Sequence, residues 1–142
     1  MREHFTKIIY PIKSIKVLGI LLPRVVHFEI NAEKPEQLTK FYEQVFNWKF
    51  QKWEGPIDYW LIMTGEDETG IDGGLSRRTE AGASTVNTIN VPSVDEYLEK
   101  IKKNKGVISM PKTAVLGVGW TAYFQDPEGN SFGLMEDDPT AK

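Results

Sequence analysis

The chain has 142 residues, of which 40% are hydrophobic, 26% charged and 11% aromatic, and it contains no cysteine. Its length predicts one compact domain, and the lack of cysteine excludes disulfides, thiolate metal sites and iron–sulfur clusters. Residues 1–24 hold five basic side chains against one acidic, whereas the remainder holds 12 basic and 19 acidic residues. Because a nucleic-acid groove needs a basic face, nucleic acid is not an expected partner of this acidic body.

The N-terminal segment is set apart from the rest of the chain. Its apolar run at 17–23 follows basic residues, but it is short and no small-residue cleavage site follows, as a signal peptide requires. No stretch of about 18 apolar residues occurs, so no membrane span is predicted. We expect residues 1–23 to form a loosely held extension, residues 138–142 a tail, and the protein to be cytoplasmic.

The first half of the body reads as one strand, one helix and three strands. Residues 25–30 alternate in polarity and predict a half-buried strand with His27 and Glu29 on one face. Pro35 opens a predicted helix with one apolar stripe, formed by Leu38, Phe41, Tyr42, Val45 and Phe46. Strand-like runs follow at about 48–54, 57–64 and 70–76, with a polar turn at 65–68.

The second half repeats this order. Residues 84–91 predict a strand, and Ser93 with Glu96 predicts a capping box for a helix that Gly106 ends. Strands are predicted at about 107–115, 118–125 and 131–136. Ile30 aligns with Ile89 at an offset of 59 residues. We therefore predict an α+β fold of two tandem βαβββ modules, at about 24–78 and 84–137, that form an open barrel-like cleft.

Three segments of the body carry a family resemblance: His27-Phe28-Glu29-Ile30, the run FYEQVFNW at 41–48 and the run GWTAYFQDPEGN at 119–130. They resemble the vicinal oxygen chelate superfamily of glyoxalases, bleomycin resistance proteins and extradiol dioxygenases. The resemblance covers about residues 24–137 and implies the same fold and a homodimer. It implies no single activity, because this superfamily includes lyases, isomerases, epimerases, dioxygenases and drug-binding proteins.

The resemblance also implies where a metal would bind. Enzymes of the superfamily generally hold one divalent ion with His and Glu side chains on inward strand positions of both modules. Here these positions fall on His27, on Val86 or its neighbour Asn87, near Gly73, and on Gly133. Only one of the four carries a competent ligand, and a divalent ion needs several converging oxygen or imidazole ligands.

Two carboxylates lie close to the vacated positions. Asp72 and Glu136 are each an odd number of residues from the inward site, so in regular strands they point to the other face unless a bulge intervenes. We therefore expect no metal cofactor. The alternative is an atypical site for Zn, Ni, Mn or Fe that includes His27.

Two groups of residues are candidates for the site. His27 and Glu29 are neighbours on one strand face, so they could act as a metal-free catalytic acid/base pair, or His27 could be a hydrogen-bonded structural residue. Trp60, Trp120 and Tyr123 could line a cleft for a flat or apolar ligand, although aromatic residues are often core.

The sequence thus predicts a protein that binds a small organic molecule, either as a binding protein or as a metal-independent enzyme. The alternative is a metal-dependent lyase or dioxygenase, similar to lactoylglutathione lyase, with an atypical ligand set.

Overall fold

A computed structural model describes residues 16–17, 20–66, 69–78 and 83–142. Most of the predicted N-terminal extension, at 1–15 and 18–19, lies outside the described residues, as does half of the predicted turn at 65–68. In the described part of the extension, β1 (Lys16–Val17) pairs antiparallel with β2 (Ile20–Leu21). The boundaries predicted for the extension, modules and tail stay predictions.

The chain forms two compact units, His27–Val86 and Asn87–Lys142, the second of which also holds the segment that ends at Val26. The first unit contains most of β3 (Arg24–Ala32), followed by α1 (Pro35–Phe46), β4 (Lys49–Lys52), β5 (Tyr59–Met63) and β6 (Gly73–Arg77). Its strands are ordered β4-β5-β6-β3. Strands β3 and β6 are parallel, and the other neighbours are antiparallel. We call this arrangement the first module.

The second module contains β7 (Thr85–Asn90), α2 (Val94–Lys103), β8 (Val107–Val115), β9 (Gly119–Gln125) and β10 (Ser131–Asp137). Its strands are ordered β7-β10-β9-β8, with β7 and β10 parallel and the other neighbours antiparallel. Both modules therefore have the order strand, helix, strand, strand, strand. The predicted α+β fold of two βαβββ modules is confirmed.

The two helices begin and end at residues with clear conformational roles. Pro35 occupies the first turn of α1, where its missing N–H costs nothing. Asn47 ends α1 in the left-handed conformation at φ 56°, and its N–H donates to the carbonyl of Glu43 at 3.0 Å. In the described chain, neither helix is long and apolar enough to cross a membrane.

The start of α2 forms only half of the predicted capping box. Ser93 Oγ accepts a hydrogen bond from the N–H of Glu96 at 3.3 Å, as predicted. The Glu96 carboxylate forms an ion pair with Lys100 at 2.6 Å, because the two side chains are one turn apart on the helix surface. Glu136 of β10 caps the helix instead, since its Oε2 accepts a hydrogen bond from the N–H of Val94 at 2.8 Å.

The end of α2 also differs from the prediction. The left-handed residue is Lys105, at φ 67°, and not Gly106. Glycine at 106 has a different cause, because an added Cβ would lie 2.5 Å from Cγ2 of Ile101. The N–H of Gly106 donates to the carbonyl of Ile101 at 2.9 Å and closes the helix end.

Each module has its own hydrophobic core between sheet and helix. The first core is built on Ala32, Trp60, Ile62 and Leu75, and the second on Val91, Val94, Leu98, Ala122 and Leu134. Helix α1 buries only part of its predicted apolar stripe, because Phe41, Val45 and Phe46 are each more than half exposed. Tyr42 provides the aromatic contact, stacked on Trp48 with ring centroids 5.1 Å apart.

Candidate functional site

The sheet of the first module has two faces with different surroundings. Phe28 and Ile30 of β3 pack against the core under α1. Strand alternation therefore places His27 and Glu29 on the opposite face, which we call the distal face of the first module. The register of β3, β6 and β5 adds further residues to this face: Asn31, Tyr59, Leu61, Gly74 and Ser76.

His27 is a buried polar residue of the distal face. It is 3% exposed, and its Nε2 lies 3.2 Å from the hydroxyl oxygen of Tyr59, in a hydrogen bond whose donor depends on the imidazole tautomer. Burial disfavours the imidazolium and lowers the pKa of His27 to about 4. The neutral ring can therefore orient the hydroxyl at physiological pH, but it cannot act there as a cationic acid.

Tyr59 is a site residue that the sequence reasoning missed. Its ring lies over Gly74, where an added Cβ would overlap the Tyr59 hydroxyl oxygen. Glycine at 74 thus leaves the space that Tyr59 needs to reach His27. Strand alternation places Tyr59 and Leu61 on the face opposite Trp60, but the sequence does not say which set faces the helix. The pairing of Leu61 with Gly74 and the core position of Trp60 decide it.

The structure assigns the position predicted near Gly73 to one of two adjacent glycines. Gly73 faces the helix side, because an added Cβ would lie 2.7 Å from ring carbons of Phe28, and Gly74 is the glycine on the distal face. Asp72 precedes β6, so strand alternation does not govern it. Its Oδ1 accepts hydrogen bonds from the N–H of Thr64 at 2.8 Å and from the Thr64 hydroxyl at 3.2 Å. This carboxylate therefore connects the end of the loop before β6 to Thr64, the residue that directly follows β5.

The corresponding face of the second module begins with Val86. Val86, Thr88 and Asn90 of β7 are buried and alternate with residues on the α2 side, such as Ile89. Between the two counterparts predicted for His27, the structure therefore favours Val86, because Asn87 is exposed. Val86 has no atom that could ligate a metal or move a proton.

Gly133 lies on this same face of the second module, opposite Thr88. A Cβ at 133 would lie 2.8 Å from Thr88 Oγ1 and 3.2 Å from a ring carbon of Tyr123, so a side chain there requires its neighbours to shift. Glu136 does not replace the missing ligand, because its carboxylate is bound at the start of α2.

The structure separates the three aromatic candidates. Trp60 is 7% exposed in the first core, and Trp120 packs against the second core, where its Nε1 donates to Asp138 at 3.0 Å. Tyr123 pairs with Gly133 across β9 and β10 and lies on the face that carries Thr88. The ligand-binding roles of Trp60, Trp120 and Tyr123 stay predictions. The core positions of Trp60 and Trp120 do not favour a ligand-binding role for these two residues.

Two cavities open on the first module. One, of about 670 Å³, is lined by the loop that joins β4 to β5 together with Arg77 and Arg78. The other, of about 720 Å³, lies between the end of β3, the start of α1 and residues 84–85. Neither is lined by His27 or Glu29.

The comparison with known families decides the classification. The family model of the Glyoxalase/Bleomycin resistance protein/Dioxygenase superfamily matches residues 24–134, which contain both modules except the last residues of β10. The chain belongs to this superfamily. A separate comparison with curated proteins finds no match to the chain.

Solved structures show the glyoxalase-superfamily fold at low sequence identity. A superfamily member from Vibrio splendidus 12B01 has a TM-score of 0.59 and 18% identity, covering 82% of this chain and all of its own. A hypothetical protein from Bacillus halodurans C-125 has a TM-score of 0.63 and 14% identity, with coverages of 84% and 98%. Methylmalonyl-CoA epimerase from Mycobacterium tuberculosis has a TM-score of 0.60 and 11% identity, with coverages of 80% and 87%.

The residues present do not fit the divalent metal that is usual among glyoxalase-superfamily enzymes. Nε2 of His27 is directed at Tyr59, and Val86 and the glycines at 74 and 133 offer no ligating side-chain atom. Throughout the part of the chain that the structure describes, no three His, Asp or Glu side chains converge as a metal site requires.

Proposed function

We propose that this glyoxalase-superfamily protein binds a small organic molecule on the distal face of the first module, without a metal. It acts there as a binding protein or as a metal-independent enzyme. The observation that carries the proposal is the hydrogen bond between buried, neutral His27 and Tyr59, beside Glu29 on the same face. Ionisable groups on such a face are costly to keep unless they serve a use.

Each polar group has a distinct role in this proposal. His27 is a positioning residue, because it is buried and holds the Tyr59 hydroxyl in one orientation. Tyr59 is half-buried and offers its hydroxyl to a ligand, as donor or acceptor according to the tautomer of His27. Glu29 is half-buried and supplies a carboxylate that can accept a ligand hydrogen bond or, in an enzyme, a substrate proton.

The cytoplasmic location and the homodimer belong to the same proposal. Neither is established by the fold, and both follow from the sequence expectations and from the family. Light scattering on the purified full chain tests the dimer by its mass.

The first experiment separates the proposed function from the metal-dependent alternative. Purified protein is dialysed, its metal content is measured, and turnover of the methylglyoxal–glutathione adduct is followed with and without nickel, zinc or manganese. We expect substoichiometric metal and no metal-stimulated activity. One tightly bound divalent ion per chain, with His27 as a ligand, would contradict the proposal.

The second experiment locates the ligand. A fragment library is screened by NMR against the wild type and against H27A, Y59F and E29Q. We expect fragments that perturb Tyr59 and bind more weakly to all three variants, each of which stays folded. A variant of an exposed polar residue of α1, Q44A, is the matched control, because α1 packs on the other side of this sheet, and it should bind fragments as the wild type does. Fragments that bind all three site variants like the wild type would place the ligand elsewhere.

A further inference from the structure

The cavity of about 670 Å³ beside the β4–β5 loop is separate from the proposed ligand face. Its lining includes Lys52, Trp53, Ile57, Asp58, Arg77 and Arg78. Its volume lies within the range of about 300–1,000 Å³ typical of small-molecule sites. Nothing in the proposed function uses this cavity.

Trp53, Pro56 and Ile57 form the apolar part of the lining. The Trp53 ring lies over Gly55, where an added Cβ would overlap it, and it meets the Tyr59 ring edge-on, with centroids 6.4 Å apart at 82°. The N–H of Trp53 donates to the carbonyl of Tyr59 at 2.9 Å, so backbone and ring are both held in place. Ile57 is 58% exposed. A fixed indole beside an exposed aliphatic side chain suits a flat apolar ligand.

The cationic part of the lining is mostly compensated. Arg77 forms ion pairs with Glu36 at 2.5 Å and with Asp58 at 3.0 Å, and Lys52 lies 3.4 Å from Asp58. These pairs raise the pKa of Arg77 and lower the pKa of Asp58, mainly through their mutual hydrogen bond. Because Arg77 and Lys52 already have carboxylate partners, neither is well placed to bind an anionic ligand.

Arg78 differs from these two cations. Its Nε and Nη2 donate to the main-chain carbonyl of Asn31 at 3.2 and 2.9 Å. A carbonyl orients the guanidinium but does not neutralise it, and within the described residues Arg78 forms no ion pair. The lining holds three cations and two carboxylates, Asp58 and Glu54, and the Glu36 carboxylate that pairs with Arg77 balances the remaining charge, so the attraction for an anion rests on Arg78 itself. A planar guanidinium held in this way matches the geometry of a carboxylate.

We propose that this cavity binds a small aromatic carboxylate. The aromatic ring of the ligand lies against Trp53 and Ile57, and its carboxylate accepts hydrogen bonds from the guanidinium of Arg78.

Binding of 2-naphthoate to the full chain, measured by calorimetry and by the NMR signal of the Trp53 indole, tests the proposal. The uncharged analogue 2-naphthamide has the same ring system and should bind at least about tenfold more weakly, because it lacks the charged partner of Arg78. R78Q should weaken 2-naphthoate binding by about the same factor and leave the binding of 2-naphthamide unchanged.

Three variants provide the controls. R24Q removes one positive charge from an exposed residue outside the cavity and should leave the affinity unchanged. W53L should weaken both probes, and W53F, which keeps an aromatic ring, should restore part of the loss. Thermal melts establish that each variant is folded, and the indole signal of the wild type reports on Trp53 without any substitution.

Several results would overturn the proposal. They are equal affinities for the two probes, equal losses in R24Q and R78Q, an unperturbed Trp53 signal at saturation, and no binding at the solubility limit of 2-naphthoate.

Discussion

The two modules share a backbone plan and differ in the polar groups that they place on it. Positions 59 residues apart carry glycine in both last strands, Gly74 in β6 and Gly133 in β10. At the first strands, His27 corresponds to Val86. In the first module the glycine makes room for Tyr59 to bond His27, whereas Val86 offers no polar partner. The hydrogen bond between His27 and Tyr59 in the first module therefore has no equivalent at Val86 in the second.

A second pair of equivalent residues shows the same asymmetry. Asn31 donates from Nδ2 to a main-chain carbonyl at 2.7 Å, and its Oδ1 accepts from the Ser76 hydroxyl at 2.5 Å. Asn90 is 2% exposed and donates to Asp137 at 3.1 Å, but its Oδ1 has no partner among the described residues. Met135 occupies the position that Ser76 has in the first module and cannot donate. The polar network is therefore more complete in the first module.

Alanine substitutions at equivalent core positions should have the largest effects on the free energy of unfolding, and the two effects should be equal. Leu75 and Leu134 are 59 residues apart and fully buried under α1 and α2 respectively. L75A and L134A should each lower the free energy of unfolding by about 2–5 kcal/mol, because each leaves a cavity in a packed core. Denaturant unfolding measures both losses. A loss in only one variant would show that the two cores are not equivalent in packing.

The pH dependence of stability should distinguish His27 from Val86. The folded chain holds the pKa of His27 at about 4, below its usual value of 6.5, so the unfolded chain takes up a proton first as the pH falls. The contribution of neutral, buried His27 to stability is therefore fully present above about pH 6.5 and is lost on acidification toward pH 4. The free energy of unfolding should fall by about 2 kcal/mol between about pH 7.5 and pH 5. H27V, which installs the residue of the second module, should remove this part of the loss. An equal loss of stability on acidification in the wild type and in H27V would refute this prediction.

The two equivalent glycines should tolerate alanine to different degrees. G74A forces the Tyr59 ring off His27, whereas G133A requires a smaller shift of Thr88. We expect a loss of about 1–3 kcal/mol for G74A and a smaller loss for G133A, measured by thermal unfolding. In a Y59A background the cost of G74A should fall, because the overlapping ring is gone. An undiminished cost in that background would mean that Tyr59 is not the obstacle.

The asparagine pair should give the smallest effects. N31A removes the two hydrogen bonds of the Asn31 side-chain amide and leaves two half-buried partners unpaired, at a cost of about 0.5–1.5 kcal/mol. N90A removes an amide whose oxygen is already unpaired, so it should cost less than N31A. Chemical denaturation of the two variants checks the order, and the reverse order would contradict the comparison.

The element order was predictable because turn and helix signals are local. Pro35, Ser93 and the turn at 126–130 mark boundaries through their own hydrogen-bonding chemistry, and the predicted strand at 107–115 coincides with β8. The strands predicted around β4, β5 and β6 were too long, since polar loops flank them.

The candidate site was less predictable because both faces of the central strands are apolar. In Tyr59-Trp60-Leu61-Ile62, periodicity alone does not say which alternate residues face the helix. The sequence therefore offers Trp60 as a cleft residue, whereas the structure places Trp60 in the first core and Tyr59 on the distal face. Adjacent glycines carry no pattern at all, and only the contact with Phe28 assigns Gly73 to the helix side.

We propose that His27 and Tyr59 form a neutral hydrogen-bonded pair and not part of a metal site. The decisive experiment is NMR of the His27 imidazole, assigned with H27V and followed against pH and against added Zn²⁺. We expect a pKa of about 4 and His27 signals that do not move with one equivalent of zinc. A pKa near the ordinary 6.5, or His27 signals that shift and saturate at one zinc ion per chain, would contradict it.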